Sequence, residues 1–160
     1  SKDPLYAMYV VTGYPKQAPK PITTNINVAR SYYNMKGQAV TGNTFKVGQL
    51  LIAHISVRSK QRTDNALVVD LLPAGFEVEN LNISKGEDLS KVRIQGKNPK
   101  AVMNNSKILH QEYRDDRFVA AVKLNRWGST DLFYLVRVVS PDWRGIGTTA
   151  KNITVINVSK

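Results

Sequence analysis

"HQEYRDDRFVAAVKL", residues 110–124, sets five charged side chains within six positions and then runs directly into apolar sequence. From Phe118 onward the pattern alternates: Phe118, Ala120, Val122 and Leu124 fall on one face, opposite Val119, Ala121 and Lys123. Side chains of an extended strand point alternately to its two faces, so this is a strand with one buried face. A second strand candidate upstream ends near Tyr113, which leaves "RDDR" (114–117) as the connection. Aspartate suits a tight corner because its carboxylate accepts from nearby backbone N–H groups. The stretch reads as strand, charged corner, strand. Arg114 and Arg117 are expected to neutralise Asp115 and Asp116, giving exposed pairs worth about 0–1 kcal/mol each.

The competing reading is chemical: the carboxylates could be catalytic or hold a cation. Adjacent carboxylates on a strand point to opposite faces, so Asp115 and Asp116 converge only through a turn. The expectation is a structural corner, with Arg114, Asp115, Asp116 and Arg117 as candidates for contact with a partner domain.

The same alternation continues outward from the corner. In "LLIAHISVR" (50–58), Leu51, Ala53, Ile55 and Val57 share a face, and His54, Ser56 and Arg58 share the other. "DLFYLVRVVS" (131–140) is apolar on both faces from Leu132 to Val139 except at Arg137, the pattern of a central strand. Further strand candidates are Leu5 to Thr12, Ile26 to Tyr33, Ala66 to Leu71, Lys91 to Gln95, Lys107 to Tyr113 and Asn152 to Val158. Turn formers separate them, in "TGYPKQAPKP", "MKGQ", "LPAGFE", "QGKNP" and "RWGST". Pro73, Ala74 and Gly75 are expected to turn the chain between two strands, with Leu71 or Leu72 and Phe76 buried beside them. No helical apolar stripe exceeds two turns, and no repeat of fixed period occurs. Short strands with regular turn signals predict an all-β antiparallel sandwich of about seven strands, with residues 1–160 forming a single domain.

Composition narrows the chemistry. There is no cysteine, hence no disulfide, thiolate metal site or cysteine nucleophile. Two histidines, His54 and His110, are too few for a histidine-based zinc site and read as strand residues. Serine and threonine near "GNTF" and "GST" lack the setting of a nucleophile elbow, and "GQAVTGNT" lacks the lysine of a phosphate-binding loop. The expectation is a non-enzymatic domain with no cofactor and no metal. No apolar run approaches the roughly 20 residues that span a bilayer, and no signal peptide opens at Ser1, so the chain reads as an excised domain or mature fragment.

The net charge of +11 favours contact with polyanions or acidic surfaces. The basic residues are spread over "YPKQAPKP", "VRSKQR" and "QGKNPK", without the interleaved aromatics that a single-strand groove needs. No specific nucleic acid is expected. Trp127 and Trp143 leave open a second function class, a generic secreted binding module for carbohydrate, adhesion or polyanions.

Three blocks carry a family resemblance: "VVDLLPAGFEVEN" (68–80), "EYRDDRFVAAV" (112–122) and "YLVRVVSP" (134–141). In that order and spacing the chain resembles the C-terminal macroglobulin-like domain of bacterial alpha-2-macroglobulins. "TGYP" (12–15) and "VARSYYNMKGQAV" (28–40) fit the same domain's opening strands. The resemblance implies a seven-stranded, fibronectin-III-like sandwich and a non-catalytic structural and interaction role. It implies the last domain of a large periplasmic endopeptidase inhibitor of the cell envelope, with the full-length protein anchored at the inner membrane. Such proteins trap proteases after cleavage of a bait region. The implied partners are neighbouring domains of the same polypeptide, including a thioester-type domain, and target proteases through the whole protein. After "YLVRVVSP" the family continues through a Gly/Pro-rich loop with a Pro-Pro pair and a Met-Tyr. Here the chain passes directly into "DWRGIGTTAKNITV" (142–155), which adds Trp143 to the candidate contact residues.

Overall fold

The computed structural model describes residues 25–41, 45–79, 89–140 and 153–158. The strand expected at Leu5 to Thr12, Trp143 and the sequence following Pro141 up to Asn152 lie outside these residues. Among the described residues eight strands form two four-stranded sheets. Sheet A has the order β1 (Ile26–Tyr33), β2 (Leu50–Ser59), β7 (Ser129–Val138), β4 (Phe76–Glu79). Sheet B has the order β5 (Ile108–Arg114), β6 (Arg117–Leu124), β3 (Thr63–Leu71), β8 (Ile153–Asn157). Every pairing is antiparallel. The chain is an all-β sandwich, as its alternation predicts.

The inner faces follow the period of two. Leu51, Ala53, Ile55 and Val57 of β2 are fully buried and meet Phe118, Ala120, Val122 and Leu124 of β6 across the core. Strand β7 is buried on both faces, as befits its place between β2 and β4. The Phe118 and Tyr134 rings stack 4.5 Å apart, one from each sheet, so aromatic contact ties the two layers together. Among the described residues no helix is long and apolar enough to cross a membrane.

Two elements depart from the sequence expectation. Lys91 to Gln95 is not a strand. Gln95 (φ 50°) and Gly96 (φ 77°) take left-handed backbone, and Ile94 and Lys97 exchange two backbone hydrogen bonds of 2.9 Å around them. The alternation of Val92 and Ile94 is real in that both are buried, but it belongs to a tight loop. Directly after it comes a one-turn helix, α1 (Pro99–Met103), that periodicity is too short to reveal. Its signal is local: Asn98 caps it by accepting from Ala101 N–H at 3.0 Å, and Pro99 opens the first turn. The Asn98 amide also donates to the carbonyls of Leu89, Ser90 and Val92, binding residues 89–103 into one unit. That unit covers part of sheet A's outer face. Its Met103 sulfur accepts from the Phe133 N–H at 3.0 Å, where β7 runs past the end of β4.

Candidate functional site

The charged corner is a two-residue turn. Arg114 of β5 faces Arg117 of β6 in register, with Asp115 and Asp116 between them. The charge pairing differs from the expectation. Arg117 holds Asp116 through two bonds of 2.9 and 2.8 Å, which keeps the exposed Asp116 carboxyl below its usual range. Arg114 instead pairs with Glu112. Residues 112 and 114 lie on the same face of β5, whereas Asp115 has already left the strand.

The corner's backbone does the structural work. The Asp116 carbonyl accepts from Leu72 N–H at 2.9 Å, and the Asp115 carbonyl accepts from Val78 N–H at 3.4 Å. Leu72 opens the crossover from β3 in sheet B to β4 in sheet A, so the corner fastens the crossover as it passes. The turn at Pro73–Gly75 forms as expected, with Gly75 at φ 89° and Phe76 N–H donating to the Pro73 carbonyl at 3.3 Å. Phe76 is buried, and of the two leucines it is Leu72 that packs on the core, while Leu71 stays exposed. The corner leaves the side chains of Arg114, Asp115, Asp116 and Arg117 all exposed.

A second cluster lies on the outer face of sheet A and was not singled out by the sequence. His54 is buried, stacked on Phe133 at 4.5 Å, and its Nε2 lies 2.8 Å from Asp131 Oδ1. Lys97 reaches over from the covering unit to the other Asp131 oxygen. Burial alone would raise the Asp131 carboxyl. Bonds from Lys97 and His54, with their positive charge, bring it below its usual value instead. Beside this cluster a recess of about 310 Å³ is lined by Asn27, Ala29, Ser31, His54, Ser56, Arg58 and Gln95.

Serine, histidine and aspartate thus meet in one place, as in hydrolases. Nucleophilic catalysis needs the serine hydroxyl bonded to the imidazole. Among the described residues no hydrogen bond joins Ser31 or Ser56 to His54, whose Nε2 is turned to the carboxylate. Nor, among them, do three or more histidine, aspartate or glutamate side chains gather to hold a metal ion. His110 is exposed on β5.

The third feature is apolar. Outward positions of β8, β3 and β6 carry Ile156, Leu67, Val69, Leu71, Val119 and Ala121 in adjoining rows, aligned by the pairings Leu67–Ile156, Leu67–Ala121 and Val69–Val119. Leu71 and Ile156 keep 45% and 48% of their surface exposed, and the others are half-buried. This is the outer face of sheet B, broad and without a covering layer among the described residues. The alternation that fixed the inner face also hid this one. Arg117 and Lys123, both exposed, stand at the two ends of the outward side of β6.

Residues 26–142 match the family model of the bacterial alpha-2-macroglobulin MG10 domain. The chain is 41% identical over 138 residues to an alpha-2-macroglobulin of Xylella fastidiosa, covering 86% of this chain and 8% of that protein. It is 35% identical to the alpha-2-macroglobulin of Escherichia coli K12, again over 86% of this chain and 8% of the relative. The chain therefore spans less than a tenth of the length of these relatives. Among solved structures, native E. coli alpha-2-macroglobulin from domain MG7 to the C-terminus superposes with a TM-score of 0.69 at 36% identity, over 79% of this chain and 20% of that one. Salmonella alpha-2-macroglobulin reacted with methylamine matches with a TM-score of 0.65, also at 36% identity, over 79% of this chain and 8% of that one. On the family match and this identity together, the chain belongs to the bacterial alpha-2-macroglobulin family, as a macroglobulin domain of the MG10 type.

Proposed function

We propose that this domain is a non-catalytic packing module of a periplasmic protease-trapping protein, and that it works by holding neighbouring domains of the same polypeptide. The observation that carries this reading is the outer face of sheet B. Contiguous apolar surface on a soluble domain marks an interaction site, and relatives more than ten times longer supply the neighbours that could cover it. The charged corner at Arg114–Arg117 supplies a polar rim next to Leu71. In the whole protein, packing of this kind would hold the uncleaved form together until the bait region is cut.

The test places Val69→Asp and Ile156→Asp in the intact parent protein and measures protease trapping and resistance of the uncleaved form to limited proteolysis. Both should be lost, while the same substitutions leave the melting of the isolated 160-residue chain nearly unchanged. Full trapping by the doubly substituted protein would overturn the reading. So would turnover of a protease substrate by the isolated chain that Ser31→Ala or Ser56→Ala removes.

A further inference from the structure

In sequence the basic residues look dispersed, but the fold gathers several of them. The β2–β3 turn, "RSKQRT" (58–63), and the β6–β7 turn, "NRWGS" (125–129), meet at one end of the sandwich. Trp127 N–H donates to the Ser59 carbonyl at 2.7 Å, and Ser59 N–H donates to the Gly128 carbonyl at 3.3 Å. This joins the two turns back to back. Ser59 Oγ also bonds Gln61 on its carbonyl and its N–H, so the first turn is fixed from within. Arg58, Lys60, Arg62 and Arg126 are all exposed there, and among the described residues of these two turns the one carboxylate is Asp64, which follows Thr63 in sequence and which Arg62 holds at 3.0 Å.

Among them stands Trp127, 69% exposed and at φ 57°. Left-handed backbone is costly for a bulky side chain, and an exposed indole gains nothing from the core. The hydrogen bonds of Ser59 nevertheless hold the ring out, with the Arg126 guanidinium 6.0 Å from its centre. Cations around an outward tryptophan match the chemistry of a membrane interface: indole rings settle at the headgroup level, and lysine and arginine keep their heads among the phosphates.

We propose that this end of the domain docks on an anionic lipid bilayer, with Arg58, Lys60 and Arg126 on headgroup phosphates and the Trp127 indole in the headgroup layer. An acidic protein surface would suit the same charges. However, a stable protein interface takes about 20–30 residues a side, and two short turns offer far fewer. A bilayer asks for no such area, because its lipids rearrange around a small tip. Each basic residue near an anionic surface strengthens binding roughly fivefold. The site is separate from the outer face of sheet B, so membrane contact and domain packing are compatible and can fail independently.

The experiment uses the 160-residue chain carrying Trp143→Phe, which leaves Trp127 as its one tryptophan. It is titrated with vesicles of pure phosphatidylcholine, or of phosphatidylcholine with one-third phosphatidylglycerol, at about 0.15 M salt. Tryptophan emission and co-sedimentation are read together. The expected result is a blue shift and sedimentation with anionic vesicles alone. Arg58→Gln, Lys60→Gln and Arg126→Gln should each weaken partitioning roughly fivefold. Trp127→Ala, read by sedimentation, should weaken it roughly tenfold. Lys36→Gln and Lys46→Gln, at the opposite end of β2, should change it little. Equal losses from those distant lysines would mean diffuse charge and would overturn the proposal. Failure to bind anionic vesicles would overturn it too, and a Trp127 shift with polyglutamate but not vesicles would assign the end to an acidic protein instead.

Discussion

Arg30 Nη1 donates to Asp70 Oδ1 at 2.5 Å through the middle of the sandwich, joining β1 of sheet A to β3 of sheet B. Neither side chain reaches solvent, and the other Asp70 oxygen accepts from the Tyr134 hydroxyl at 2.6 Å. Burial raises the Asp70 carboxyl despite these partners, while Arg30 stays charged because Tyr32, Asp70 and Tyr134 outweigh its desolvation. Such a pair adds little net stability, yet each half is costly to leave alone. Asp70→Ala or Arg30→Ala should each cost about 3–5 kcal/mol in chemical denaturation. Replacing both together, as Arg30→Met with Asp70→Leu, should cost clearly less than either. A double variant as unstable as the sum of the singles would mean that the two do not act as a pair.

Phe76 anchors the crossover that the charged corner fastens. Its ring lies 6.1 Å from Tyr32 and meets Phe45 edge-on at 5.8 Å. Phe76→Ala should cost about 3–5 kcal/mol, the range for emptying a packed aromatic site. A loss under about 1 kcal/mol would show that the aromatic cluster closes over the gap.

How far the sequence carries can be judged from these same residues. Alternation places Phe118, Leu51 and Ile55 correctly because a strand's period is independent of its partners. The Arg30–Asp70 pair is invisible to it, since the two stand 40 positions apart and meet only through sheet stacking. The Lys91–Gln95 stretch misleads because a buried loop can place Val92 and Ile94 inward as a strand would. Arg114 and Glu112 show the limit of neighbour logic: strand period outranks adjacency in choosing ion pairs. The outer face of sheet B and the Trp127 end both needed the fold, which brings β8 beside β3 and one turn beside another.

Gly37 is a place where no other residue fits. It sits at φ 80° in the β1–β2 loop, and a Cβ there would come within 2.4 Å of the Arg93 carbonyl oxygen. The loop and the unit that covers sheet A press together at that point. Gly37→Ala should destabilise by more than about 1 kcal/mol from the backbone alone, with the contact adding to it. Hydrogen exchange would locate the damage: protection should fall first in residues 89–103. A fall confined to the inner strands would contradict a role in seating that unit.

Asp131 gives the domain a pH response whose sign follows from its environment. Its folded carboxyl lies below the ordinary aspartate range, because the bonds and charge of Lys97 and His54 outweigh its burial. A carboxyl lowered on folding contributes stability that is fully present above its unfolded value. That stability is lost as pH falls through the folded value, where the native carboxylate finally takes a proton. Asp131→Asn removes the charge at every pH, so the stability gap between the two proteins should close as the solution is acidified below about pH 4. Urea midpoints measured stepwise from neutral to strongly acid solution would trace this. Lys97→Gln should narrow the gap at neutral pH only in part, since its ammonium is half-exposed and screened, whereas His54 remains stacked and bonded. A gap that persists unchanged into strong acid would mean that the carboxylate's charge contributes nothing, and that Asp131 serves through shape and hydrogen bonding alone.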